Sequence, residues 1–209
     1  MMVARTVAID DAIREAAHSQ LVILGAGLDG RAWRMPELRD AVVFEVDHPD
    51  SQRDKRARAG ALSPMAREIR FVSVDFERDS LDAALEKAGH DASIPTTWVW
   101  EGVVMYLTPK DVEATLAVLA RRSAPGSRLV VAYHSPAFIS TVVGVFLRWL
   151  GEPLRSAYTA DSMRGLLARH GFAVQRDDDL HAIGVALTDD IARATTVLRH
   201  MRIATADRR

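Results

Sequence analysis

The stretch LVILGAGLDG, residues 21–30, decides how this chain is read. An apolar run from Leu21 to Leu24 stops at a turn that fits G-x-G-x-x-G letter for letter. Glycine at positions 25 and 27 lets the backbone bend sharply and approach a ligand with no Cβ in the way. A strand running into such a turn cradles nucleotide-bearing cofactors in more than one fold, so the motif alone leaves the ligand open.

Beyond this turn, short and continuously apolar runs recur along the chain. LVILG (21–25), VVFEVD (42–47), RFVSVD (70–75), TWVWEG (97–102) and RLVVAY (128–133) read as strands buried on both faces. Between them, residues 51–62, 80–88 and 111–124 read as helices. The last is the best punctuated: Thr108 can cap it, Pro109 suits its first turn, and Val112, Leu116 and Leu119 recur at helical spacing before Pro125-Gly126. Strands alternating with helices imply right-handed crossovers and a parallel sheet covered on both faces. Further on, Thr159 can cap a helix over 160–170 that Gly171 stops. Residues 172–175 and 182–187 read as two strands joined by the charged turn Arg176 to Asp179. Such a link is too short for a crossover and demands antiparallel pairing. The tail, 189–209, reads as one more helix fraying into Asp207-Arg208-Arg209.

Composition sets the bounds. The chain has 209 residues, 48% apolar and 26% charged, with a formal net charge of −1, which suits one core and a single domain over 1–209. No positive excess points to nucleic acid or an anionic membrane, and neither is expected as a partner. The segment RDKRAR (53–58) reads as a solvated helix face. Cysteine is absent, which removes disulfides, thiolate zinc sites and cysteine nucleophiles, and no metal is expected. Acids interrupt the first 20 residues where a signal peptide would be apolar. The longest apolar segment, 138–150, is broken by Ser140, Thr141 and Arg148 and is too short to span a bilayer. A soluble, cytoplasmic protein is the expectation.

The question left by the glycine turn is which cofactor it serves. Asp47 ends the second strand about 20 residues beyond the glycines, where an acid accepts hydrogen bonds from ribose hydroxyls of either NAD or S-adenosylmethionine (SAM). Three features separate the two. A dinucleotide fold places a sizeable helix after the glycines, whereas Arg31 to Met35 is bulky and charged and Pro36 limits helix length. Asp75 ends the third strand beside apolar Phe76, a pairing suited to an adenine amino group and ring. Glu101 ends the fourth strand within a Trp-flanked apolar context, where an unpaired carboxylate is costly. Glu45, in mid-strand, calls for a structural partner instead. Together these features favour SAM over NAD.

The segments LVILGAGLDGRAWRMP, VVFEVDHPDSQRDKRA, RFVSVDFERDSLDAAL and WVWEGVVMYLTPKDVEATL carry a resemblance to the leucine carboxyl methyltransferase family, in particular its actinobacterial branch. They keep their order and cover most of residues 3–133, and a looser similarity continues through WLGEPLRSAYTADSMRGLLARHGF. The resemblance implies a class I SAM-methyltransferase (Rossmann-like) fold, a mostly parallel seven-stranded sheet with a C-terminal antiparallel hairpin. It implies that Gly25, Ala26 and Gly27 line the methionine moiety and that Asp47, with His48 beside it, holds the ribose. Asp75 and Phe76 would frame the adenine and Glu101 would contact the amino-acid end. Arg5, in VART, matches a family arginine that grips the SAM carboxylate. Two positions depart from the family: Gly30 stands where relatives commonly have Thr, and only about 20 residues precede the first strand where relatives carry a longer roofing segment. Either the acceptor site is open or a partner subunit completes it.

Around the acceptor, Tyr106, Tyr133, His134 and Tyr158 are the candidates. The segment 136–154, rich in Phe, Leu, Val and Trp, reads as an apolar lid or wall, or else as an interface with a second copy in a homodimer. The expected activity is O-methyl transfer from SAM to a carboxylate or hydroxyl of a small, largely apolar metabolite. A catalytically silent SAM-binding protein and an NAD-dependent oxidoreductase are the alternatives.

Overall fold

The computed structural model describes residues 2–75, 78–136 and 154–209. Phe76 and nearly all of the apolar segment 136–154 lie outside the described residues. The first half builds α1 (Met2–Ala16), β1 (Gln20–Leu24), α2 (Arg31–Arg34), β2 (Val42–Asp47), α3 (Pro49–Ala59), β3 (Glu68–Ser73), α4 (Leu81–Lys87) and β4 (Thr96–Trp100). Then follow α5 (Pro109–Arg121), β5 (Arg128–His134), α6 (Ala160–Arg169), β6 (Phe172–Asp179), α7 (Leu180–Leu187), α8 (Asp189–Thr195) and β7 (Met201–Arg208).

All seven strands form one sheet in the order β3-β2-β1-β4-β5-β7-β6. Strands β1 to β5 pair in parallel, and β7 inserts antiparallel between β5 and β6. Every residue of β1 is buried because the strand sits at the centre with helices on both faces. Its alternate side chains feed two cores. Leu21 and Ile23 pack with Ile9 and Ile13 of α1, while Val22 and Leu24 pack with Trp98, Leu116 and the α4–α5–α6 face. At about 1.5–3 kcal/mol for each fully buried large aliphatic side chain, this central strand anchors the glycine turn that follows it. Helix α5 starts where the sequence says it should: Thr108 and Asp111 form a reciprocal capping box, with Pro109 in the first turn.

The C-terminal assignment needs correction. Strand β6 runs through the charged stretch to Asp179, and residues 182–187 belong to helix α7 rather than to a strand. The Asp179 carboxylate accepts hydrogen bonds from the N–H groups of His181 and Ala182, both at 2.9 Å, and so starts a helix where a turn was expected. The antiparallel partner of β6 is β7, drawn from the tail expected to be helical. Only α8 of that tail is helix. The hairpin pairing therefore holds with a different second strand, and two helices lie between its arms. Among the described residues, no helix is long and apolar enough to cross a membrane.

Candidate functional site

The site forms at the carboxyl ends of the parallel strands, where β1 and β4 are neighbours. Leaving β1, the chain enters the left-handed region at Gly25 (φ +67°) and Gly27 (φ +44°). The N–H groups of Gly25 and Ala26 both donate to the Val46 carbonyl, at 2.8 and 3.1 Å, folding the turn over the end of β2. A Cβ at Gly25 would lie 2.2 Å from Val103 Cγ2, so glycine is required there. Gly30 differs: its φ is −101°, and a Cβ would meet nothing within 4 Å. The helix that follows, α2, has four residues, far from the extended helix of a dinucleotide turn.

Asp47 is tied directly to this turn. Its carboxylate accepts from the Gly27 N–H through one oxygen and from the His48 N–H at 2.7 Å through the other. Each oxygen keeps a lone pair, so the carboxylate can still receive ribose hydroxyls. His48 itself is exposed and caps α3, its Nδ1 accepting from the Asp50 N–H at 3.3 Å. The Val74 N–H donates to the Asp47 carbonyl at 2.9 Å, which sets Asp75 beside Asp47 at the sheet's edge. The Asp75 N–H donates to Asp79, and its carboxylate lies 3.6 Å from Arg78.

The mid-strand acid has the partner it called for. Glu45 pairs with Lys55 of α3 at 2.7 Å, and Lys55 lies over the Trp33 ring. Burial pushes the Glu45 carboxyl up to about 7, against the pull of Lys55.

A ring of charges surrounds the turn. Arg5 from α1 is paired with Glu101 at 2.5 Å, and the second Glu101 oxygen accepts from Arg31 at 2.9 Å. Arg31 is 3% exposed and also donates to Asp29 and, through Nε, to Asp10 at 2.8 Å. Arg34 adds two hydrogen bonds to Asp10, at 2.6 and 2.9 Å. Burial alone would favour neutral Arg31, but Asp29, Glu101 and Asp10 outweigh it and hold the guanidinium charged. Asp10, Asp29, Arg31 and Arg34 did not emerge from the sequence. The available signals were the spacing of Arg31 and Arg34 on one helical face and the position of Asp29 inside the glycine turn.

These residues enclose a cleft of about 470 Å³ whose lining includes Arg5, Ala26, Gly27, Asp29, Arg31 and Glu101. A cavity of about 70 Å³ shares Arg5 and Gly102 with it and reaches to Met105, His134 and Arg202. Of the expected cofactor residues, the cleft gathers Arg5, Gly25, Ala26, Gly27 and Glu101, and Asp47 joins through Gly27. His134 lines the smaller cavity and stacks on His200 with ring centroids 5.9 Å apart. Burial, with His200 and Arg5 nearby, lowers its imidazole to about 4. Tyr133 also reaches this cavity, but its hydroxyl donates to Asp177 at 2.7 Å and accepts from Arg202 at 3.1 Å. Tyr106 sits in a 3-10 turn over Val104–Tyr106. Tyr158 packs on the α4–α5–α6 core, its N–H donating to the His134 carbonyl at 2.9 Å.

A sheet of this strand order, with its single antiparallel strand next to the last position and a glycine turn after β1, defines the class I SAM-methyltransferase fold. Residues 1–120 match the model of the leucine carboxyl methyltransferase family, and the chain belongs to that family. A relative from Mycolicibacterium smegmatis, named "Putative S-adenosyl-L-methionine-dependent methyltransferase", is 43% identical over 150 residues, 69% of this chain and 48% of the relative. The chain spans about half the length of the curated relatives it matches. Among solved structures, a DUF574-family protein from Streptomyces avermitilis superposes with a TM-score of 0.71 at 16% identity, covering 100% of this chain and 82% of that one. A SAM-dependent methyltransferase from Mesorhizobium loti gives 0.68 at 15% identity, covering 98% of each chain. At such identities the structural likeness speaks for the fold.

Proposed function

We propose that the chain binds SAM in the cleft beneath α1 and transfers its methyl group to an oxygen of a small, largely apolar metabolite in the adjoining cavity. One observation carries the reading: Arg5 and Glu101, a cation and an anion in direct contact at 2.5 Å, both line the cleft beside the Gly25–Gly27 turn and offer opposite charges to the two ends of an amino-acid zwitterion. In this reading Arg5 takes the carboxylate and Glu101 the ammonium group. Asp47 holds the ribose hydroxyls, and Asp75, next to it, receives the adenine amino group. The donor set fits the cofactor in charge and in order along the sheet, and the cleft has the volume of an ordinary small-molecule site.

SAM supplies a methyl group on a positively charged sulfur, already activated for in-line displacement. The protein's part is to align the acceptor and keep water out. Val104, Met105 and Ile203 give the smaller cavity its apolar walls, and the Tyr133–Asp177–Arg202 cluster stiffens its floor. His134, lowered to about 4, stays neutral at pH 7 and is a weak base. A carboxylate acceptor, ionised before it arrives, makes the smallest demand on such a site. A hydroxyl acceptor in this cavity would draw on His134, which lines it, whereas Tyr106 and Tyr158 are not among its lining residues.

Calorimetric titration with SAM, S-adenosylhomocysteine and NAD tests the cofactor. Binding of the first two without NAD is expected, and NAD binding alone would overturn the reading. Labelled-methyl transfer screened across hydrophobic acids and phenols then tests the chemistry. Binding without transfer to any of them would leave a SAM-binding protein in place of an enzyme.

A further inference from the structure

Asp10 is buried, 4% exposed, yet it is not part of the cleft lining. It lies on α1, the helix that carries Arg5, and faces α2, the helix that follows the glycine turn. Both of its oxygens are engaged: Oδ1 accepts from Arg31 Nε and Arg34, and Oδ2 accepts from Arg34. Arg31 passes the connection inward, donating to Asp29 and to Glu101 in the cleft. Two independent routes thus lead from Asp10 to the proposed amino-acid end of the ligand. One runs through Arg31 to Glu101, and the other runs along α1 to Arg5.

A surface clamp would not have this form. The Asp10 and Arg31 side chains are both almost fully buried, so their alignment is not loosened by water. The guanidinium is planar, and fixing Nε at Asp10 fixes the plane from which its terminal nitrogen meets Glu101. Three arginines face three carboxylates around this point, which leaves no net charge to attract a simple anion or cation. What such a ring favours is a ligand group that carries both signs.

We propose that Asp10 is a positioning residue for the amino-acid end of the bound cofactor, setting Glu101 through Arg31 and docking the helix that delivers Arg5. This rests on the SAM-binding reading above. Arg34 and Arg31 hold the Asp10 carboxyl below the usual carboxylate range in spite of its burial, so it stays ionised across the physiological range.

The test is calorimetric titration of S-adenosylhomocysteine into wild type, Asp10→Asn, Arg31→Lys and the double variant, with circular dichroism to follow folding. Loss of a charge-assisted contact predicts affinity lowered by about tenfold or more in Asp10→Asn. The double variant should lose clearly less than the product of the two single losses, because both substitutions break the Arg31 route. Affinity within about twofold of wild type in Asp10→Asn, or losses that multiply in the double variant, would overturn the proposal. If Asp10→Asn does not fold, Arg31→Lys decides: it keeps the charge but not the fork, and undiminished affinity there refutes the relay. A wild-type protein that ignores S-adenosylhomocysteine would instead sink the methyl-donor reading, a separate result.

Discussion

A methyl group added at Gly25 would sit against Val103 in a backbone that L-residues rarely adopt, while one added at Gly30 would point into open space. Gly25→Ala should therefore destabilise the protein by about 2 kcal/mol or more, through left-handed strain and a displaced Val103. Gly30→Thr should change stability by no more than about 0.5 kcal/mol, since Thr and Gly are similar helix N-caps. Urea unfolding of the two variants checks both, and equal effects would contradict the contrast. The fingerprint's third glycine is thus not demanded by the backbone, in keeping with the Thr that the family resemblance puts at this position. Gly25, Asp47 and Glu101 were legible because each lies at a strand end that an apolar run announces. The Asp10–Arg31 relay was not, because its partners meet only when α1, α2 and β4 come together.

His90 makes a pH argument at the same scale. It is 5% exposed, hydrogen-bonded to Thr96, and packed between Phe44 and Trp98. Burial, and then Arg122, lowers it from 6.5 to about 4. As pH falls through this window the unfolded chain takes up the proton first, so stability declines from about 6.5 down to 4 and is untouched above. His134 acts in the same direction, and Glu45, raised to about 7, acts in the opposite one. The margin of wild type over His90→Gln isolates the effect. It should shrink on acidification by up to about 1.4 kcal/mol per pH unit, and a constant margin between pH 6.5 and 4 would refute it.

At the scale of elements, the parallel strands and α5 could be read directly, because apolar runs and caps are local signals. The C-terminal elements could not. Residues 182–187 contain no charge and looked like a strand, while the cap that makes them a helix hid in an acidic run. Strand β7 reads MRIATADR, with little apolar bulk, and owes its burial to strands on both sides of it. Asp179→Ala should remove the α7 cap and cost about 1 kcal/mol of stability, measurable by chemical unfolding, while S-adenosylhomocysteine affinity is retained. No loss of stability would show that α7 is held by packing alone.

For the molecule as a whole, the sheet divides the interior into two apolar layers, and α1 belongs to the layer that also supports the glycine turn. The helix that brings Arg5 to the cleft is therefore also part of the hydrophobic core. That coupling explains how an arginine from the beginning of the chain can be placed reliably against Glu101. The order of the strands has a consequence in time as well as in space. During synthesis β5 leaves the ribosome long before β7, the strand that belongs beside it. At about 5–20 residues per second, the open edge of β5 waits several seconds for its neighbour. A nascent chain halted before Met201 would present that edge to any other strand nearby, a hazard the finished protein no longer carries.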